Sequence, residues 1–79
     1  MPYIIKDNRK YYEHTEIPNN AGELNFFISH MCKQYVQLHG KNYGVLNEVI
    51  GVLECAKLEV YRRVVAPYED IKIRENGDI

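Results

Sequence analysis

The chain lacks tryptophan, has two cysteines and three prolines, and contains no long hydrophobic run among its 79 residues. No apolar stretch approaches the ~20 residues that a membrane-spanning helix needs, so we expect no membrane segment. Cys32 and Cys55 fall within helical patterns, and no signal peptide precedes them. This usage predicts reduced thiols in a cytoplasmic protein rather than disulfides.

An excess of one charge sign is also lacking. Ten Lys and Arg residues stand against eleven Asp and Glu residues, for a net charge of −1. This balance excludes a strongly basic nucleic-acid-binding protein, so we expect no nucleic-acid partner. A chain this short buries only about 60% of its unfolded surface, and its core contributes little stability. With no disulfide or metal cluster visible, oligomerisation is the remaining common source of stability.

Two helices are predicted, the first over residues 21–39. Asn20 can cap it, with Glu23 three positions later as in a capping box, and Gly40 is its stop signal. Phe26 falls outside the apolar face, so we expect it to point away from the core. That face recurs at spacings of three and four and contains Leu24, Phe27, Ile28, Met31, Tyr35 and Leu38.

The second helix is predicted over residues 43–66, ending before Pro67 because the residue before a proline is driven out of the helical region. The short connection before it makes the two helices antiparallel neighbours. Its apolar residues cover an arc of roughly 180°, wider than the ~100° stripe of an ordinary surface helix. We therefore expect a homo-oligomer, a dimer or larger, built on this helix. The arc comprises Val45, Leu46, Val49, Ile50, Val52, Leu53, Ala56, Val60, Tyr61 and Val64.

The terminal segments are predicted to be arms. Residues 1–19 form the N-terminal arm, with one helical turn after Asp7, and residues 20–67 form the helical core. Residues 68–79 form the C-terminal arm, where two isoleucines alternate at period two before a turn. The predicted fold is all-α, an antiparallel two-helix hairpin with extended terminal arms that assembles into an oligomeric helical bundle.

Several short motifs lie along the chain between about residues 20 and 79. The motifs are Gly22-Glu23-Leu24-Asn25, Tyr43, Asn47-Glu48-Val49-Ile50-Gly51, Tyr61-Arg62-Arg63, Pro67-Tyr68-Glu69 and Asn76-Gly77-Asp78. With these motifs the chain resembles a family of small uncharacterised proteins found in bacteria, archaea and phages. The resemblance implies a compact helical domain, and no established activity comes with it.

A basic and aromatic cluster lies near the end of the second helix. Arg62 and Arg63 can bind an anion through their guanidinium groups, and Tyr61 and Tyr68 can stack on a base. The structural alternative is that cations at a helix C-terminus are favoured by the backbone dipole without any ligand. Because adjacent helical residues point about 100° apart, the arginine pair suggests a site shared between subunits.

Asn47, Glu54 and Tyr61 recur every seven residues and so follow one line along the second helix. We expect Asn47 and Glu54 to hydrogen-bond the polar edge of a ligand, and Gly51 to permit close approach. The alternative is a helix-packing seam in which the same polar groups pair with neighbouring side chains. Tyr68 continues the line past the proline.

Metal and catalytic sites are not indicated. His14, His30 and His39 lack ligand spacing, and neither cysteine has a neighbouring base at helical spacing. No cofactor is implied, because the chain carries no Gly-rich nucleotide loop.

Three functions stay open. The first is a non-enzymatic oligomeric protein that binds a small anionic ligand, such as a nucleotide signal sequestered by a phage-type protein. The second is a protein-interaction or structural subunit without a small-molecule ligand. The third is a small nucleotide hydrolase using Glu54 as a base.

Overall fold

The computed structural model describes residue 4, residues 6–9 and residues 16–79. The described residues contain helix and no strand, which confirms the all-α class. The chain divides into two units, Met1–Val49 and Ile50–Ile79. Its helices, in chain order, are α1 (Lys6–Arg9), α2 (Ala21–His39), α3 (Tyr43–Val60), a π-helical segment (Tyr61–Val65) and α4 (Ala66–Asn76).

The predicted N-terminal arm falls largely on residues 1–3, 5 and 10–15, which lie outside the described residues. The helical turn expected near Asp7 is α1. At the end of α1, the Arg9 side chain donates from Nε to the carbonyl oxygen of Ile4, which precedes the helix, at 3.1 Å.

Both ends of α2 follow the predicted signals. The Asn20 side chain accepts a hydrogen bond from the Glu23 backbone N–H at 2.9 Å, which satisfies one unpaired donor of the first turn. The Glu23 carboxylate in turn accepts from the Asn19 N–H at 3.1 Å, one residue earlier than in a standard capping box. Gly40 ends the helix with φ of 102°, and its N–H donates to Val36 at 2.9 Å. The predicted range 21–39 is confirmed.

The predicted start of α3 at Tyr43 is also confirmed, and Asn42 caps it. The Asn42 side chain accepts from the Val45 N–H at 3.0 Å, and the backbone carbonyl of Asn42 accepts from the Leu46 N–H at 2.9 Å. Within the first unit, Tyr35 of α2 donates its hydroxyl to the Glu48 carboxylate of α3 at 2.7 Å. The antiparallel hairpin and the oligomeric bundle stay predictions.

Little apolar surface is buried. Among the described residues Val45, at 9% exposure, is the one buried apolar side chain. No side chain in Ile50–Ile79 is fully buried. Phe26 is exposed, as expected, and stacks on His30 with 5.4 Å between ring centroids. The predicted apolar face of α2 is also exposed along Leu24, Phe27, Ile28, Met31, Tyr35 and Leu38.

The predicted end of the second helix at Pro67 is wrong, because the chain stays helical from Tyr43 to Asn76. Proline cannot donate an N–H, and its ring crowds the carbonyl four residues earlier. The π-helical segment widens the turn just before it, and the Ala66 N–H donates five residues back to the Tyr61 carbonyl. Pro67 then lies in the first turn of α4, where a missing N–H is tolerated.

The extended C-terminal arm is therefore wrong over residues 68–76, which belong to α4. The alternation of Ile71 and Ile73 spans too few residues to outweigh a helix already propagating through the proline. Lys72 and Glu75, three residues apart, form an ion pair at 3.2 Å that also suits a helix. Gly77, with φ of 91°, ends α4, and its N–H donates to the Ile73 carbonyl at 2.8 Å.

The two glycines Gly40 and Gly51 give a matched test of this backbone. Gly40→Ala should destabilise the fold by about 1–3 kcal/mol, because φ of 102° is strained for any residue with a Cβ. Gly51→Ala should stabilise it by about 1 kcal/mol, because a Cβ at this α3 position meets nothing within 4 Å in the chain itself. Urea unfolding at one protein concentration measures both. Equal stability of Gly40→Ala and the parent would contradict the helix stop that depends on the positive φ of Gly40.

Candidate arginine site

Arg62 and Arg63 lie in the π-helical segment and contact the same carboxylate. Arg62 donates from Nη2 to Glu59 Oε1 at 2.6 Å, and Arg63 donates from Nε to Glu59 Oε2 at 2.6 Å. The two arginine side chains are 66% and 63% exposed, whereas the Glu59 side chain beneath them is 21% exposed. Two guanidinium groups of one chain thus hold one anionic group, with one oxygen for each.

This convergence differs from the expectation that one chain can hardly direct both adjacent arginines at the same group. Glu59 lies three residues before Arg62 and four before Arg63, and both spacings make side chains neighbours on a helix surface. The long arginine side chains then bend toward it from either side. A single chain can therefore present both guanidinium groups to an anion of carboxylate size.

Tyr61 is engaged by α4. Its hydroxyl donates to Glu69 Oε1 at 2.7 Å, across a spacing of eight residues. The hydrogen bond to Glu69 raises the pKa of Tyr61 above its ordinary value. The negative charges of Glu69 and Asp70 and a small loss of solvation add to that effect. Both the bond and the charges favour the neutral phenol.

The π-helical segment explains this spacing and breaks the predicted line through Tyr68. One extra residue in the turn rotates everything after it by about 100° relative to a continuous α-helix. Glu69 therefore takes the place in line with Tyr61 that Tyr68 was expected to hold. Tyr68 instead lies under the Lys72 ammonium group, with Nζ 5.5 Å from the ring centroid.

The remaining predicted site residues lie on α3. Glu54 forms an ion pair with Lys57 at 3.0 Å, and both side chains are more than half exposed. Asn47 is exposed and belongs to the first unit, whereas Glu54 belongs to the second. The contacts of the second unit bring Arg62 and Arg63 together at Glu59. They bring Tyr61 to Glu69 and leave Glu54 with Lys57.

An acidic groove of about 530 Å³ lies at the end of α4, and sequence reasoning missed it. Its lining includes Tyr61, Glu69, Asp70, Lys72 and Asp78, so three carboxylates outnumber one ammonium group. The signal in the sequence was Glu69-Asp70, which becomes part of a groove only when the chain is helical past Pro67. Its carboxylates disfavour an anionic ligand, so the arginine pair stays the candidate anion site.

A second groove lies in the first unit, where the segment before α2 runs beside the helix. It measures about 360 Å³ and is almost wholly apolar. Its lining is Glu16, Pro18, Leu24, Phe27, Ile28, Met31 and Cys32. The apolar periodicity of α2 predicts this surface of the helix. It does not predict that residues 16–18 lie beside it.

Within the described ranges, no group of three or more His, Cys, Asp or Glu side chains is arranged to hold a metal ion. His14 lies outside these ranges. Cys32 is half-buried, Cys55 is exposed, and both are free thiols. None of the helices described is long and apolar enough to cross a membrane.

The chain belongs to a family described as a domain of unknown function (DUF6899), whose match covers residues 1–79. No curated protein and no solved structure shows significant similarity to it. The family membership agrees with the resemblance carried by the short motifs, and any function has to be argued from the side chains.

Glu69→Gln should lower the pKa of Tyr61 toward its ordinary value of 10.0, because the carboxylate is the main cause of the raised pKa. The raised pKa means that the hydrogen bond stabilises the fold below pH 10. That contribution is lost as the pH rises through the pKa of the folded state. The Cζ chemical shift of Tyr61, followed by NMR against pH, measures the change. Glu75→Gln removes the same charge from α4 as a control, and an unchanged titration in Glu69→Gln would contradict the assignment.

Proposed function

We propose that this member of the DUF6899 family is a non-catalytic helical protein that binds a small phosphate-bearing anion at Arg62 and Arg63 and self-associates through α3. The observation that supports the binding proposal is that both guanidinium groups form ion pairs with the Glu59 carboxylate, with N···O distances of 2.6 Å. Charge-assisted hydrogen bonds from arginine suit planar carboxylate and tetrahedral phosphate groups alike.

A nucleotide is the ligand class we favour. Arginine supplies the phosphate contacts, and the rings of Tyr61 and Tyr68 flank the pair in the sequence as surfaces for stacking on a base. Each tyrosine already has one contact within the chain. The Tyr61 hydroxyl donates to Glu69, and the Lys72 ammonium group lies over one face of the Tyr68 ring. In a phage-type setting, binding without turnover would sequester a nucleotide signal. The hydrolase alternative gains nothing from Glu54, an exposed surface carboxylate paired with Lys57.

Self-association is supported by the apolar side chains that the chain leaves exposed. On α3 these include Leu46, Ile50 and Val60, and Ile50 is 66% exposed. One partner in a specific protein–protein interface contributes about 800 Å² of surface. We propose that a second copy of the chain covers the apolar face of α3. In this assembly α2 and α3 of each copy form an antiparallel pair.

The second candidate is an interaction subunit without a small-molecule ligand. The apolar groove beside α2 favours it, because a groove lined by Phe27, Ile28 and Met31 fits an apolar side chain of a protein partner. This reading needs the exposed apolar faces and no role for the arginines. Assembly and anion binding therefore have to be measured separately.

Val60→Asp should abolish self-association, because it places a charge in the apolar face that a second copy would cover. Leu58→Asp is the matched control. Both side chains are 56% exposed, and two positions on α3 place them about 200° apart around the helix. Size-exclusion chromatography with light scattering at micromolar concentration reports the mass. A monomeric parent, or equal loss of assembly in both variants, would rule out the α3 interface.

Arg62→Ala and Arg63→Ala should each weaken anion binding by about 1.5–3 kcal/mol, the contribution of a charge-assisted hydrogen bond. Arg74→Ala, which removes an exposed arginine from α4, is the control. Melting temperatures against a panel of nucleotides and inorganic pyrophosphate provide the first readout. A ligand at 100 times its dissociation constant should stabilise the parent by about 2.7 kcal/mol.

Ligand recovered after denaturation separates binding from turnover, because a sequestering protein returns the ligand intact. If Arg62→Ala and Arg63→Ala bind every hit of the panel as well as Arg74→Ala does, the anion site is wrong. The interaction subunit then becomes the proposed function.

A further inference from the structure

Glu59 occupies the position that an external anion would need. Each of its carboxylate oxygens accepts from a different arginine at 2.6 Å, and its side chain is the least exposed of the three charged groups. An external phosphate could bind both guanidinium groups only in place of this carboxylate. The proposed site is therefore already filled by a group of the chain itself.

We propose that Glu59 is an internal competitor that an incoming phosphate group must displace, so that this residue sets both the affinity and the chemical selectivity of the arginine pair. This inference rests on the anion-binding function proposed above. The arginine pair then excludes ligands that carry a single carboxylate and accepts ligands that carry a doubly charged phosphate group.

The selectivity follows from competition between a tethered and a free anion. A carboxylate on the same helix is present at a high effective concentration and loses little freedom on pairing, whereas a free carboxylate must give up its translational and rotational freedom. With equal charge and equal hydrogen bonds, the free carboxylate cannot compete. A terminal phosphate group carries about −1.5 to −2 charges and three acceptor oxygens, so it offers the arginines more than Glu59 does.

Local geometry makes the displacement feasible. Glu59 lies in the last turn of α3, and the two arginines lie in the π-helical segment that follows it. A phosphate group can therefore replace the carboxylate through rotation of the Glu59 side chain. Both arginine side chains are about two-thirds exposed, so a ligand in solvent can reach them. The displaced carboxylate can then turn to solvent.

The test compares binding of inorganic pyrophosphate and acetate to the parent, Glu59→Gln and Glu75→Gln by isothermal titration calorimetry. Glu59→Gln should tighten pyrophosphate binding by about tenfold or more and make acetate binding measurable, because the competing charge is gone. Glu75→Gln removes the same charge from another ion pair at i,i+3 spacing and should stay within about twofold of the parent. Glu59→Ala serves as a second variant, and circular dichroism checks that all proteins are helical.

The outcomes separate this inference from the function on which it rests. If the parent binds pyrophosphate and neither Glu59 variant binds it more tightly, the competitor is disproved while the anion site stands. An equal gain in Glu75→Gln is a general charge effect and also overturns it. If the parent and every variant fail to bind, both proposals are wrong. In the parent, displacement should also move the Glu59 Cδ resonance on addition of pyrophosphate, and a resonance that stays fixed during binding contradicts the mechanism.

Discussion

The hydrogen bonding around Pro67 is the constraint on which the second unit depends. A proline in the path of a helix removes one N–H and crowds one carbonyl, so the chain must either stop or widen its turn. This chain widens it, and the Ala66 N–H reaches back to Tyr61 across the π-helical segment. The extra residue in the turn aligns Glu69 with Tyr61 and moves Tyr68 to Lys72. π-Helical turns of this kind recur at functional sites.

The same segment carries the arginines and gives the unit its distribution of charge. On one side Arg62 and Arg63 surround a single carboxylate, and elsewhere Glu69, Asp70 and Asp78 line a groove. A net charge of −1 therefore conceals a local separation of basic and acidic surfaces. Whole-chain charge excluded a general affinity for nucleic acid. It carried no information about a site for one small anion, because such a site needs only two guanidinium groups held in place.

Exposed apolar surface is the second feature of the molecule, and it connects assembly with stability. Val45 is the one apolar side chain buried among the described residues, and the faces of α2 and α3 meet solvent along most of their length. Hydrophobic burial is the main source of folding free energy, so the self-association proposed above would stabilise the chain by covering this exposed apolar surface. The two proposals concern different parts of the chain, because the apolar face lies on α3 and the arginine pair lies in the π-helical segment that follows it.

The sequence by itself determined the helical class, the bounds of α2 and the start of α3. Those features depend on local interactions, such as the Asn20 cap and the positive φ of Gly40, and residue type and spacing are enough to predict them. It also pointed to Arg62 and Arg63. Only the three-dimensional structure showed that both arginines contact Glu59. A helical wheel gives the direction in which each side chain leaves the backbone, and it does not show where the end of a long side chain lies. Only the structure, too, decided that the helix passes Pro67. A rule based on proline alone considers only the one hydrogen bond that proline loses. In the folded chain a π-helical turn accommodates that loss, and the hydrogen bonds of α4 offset it.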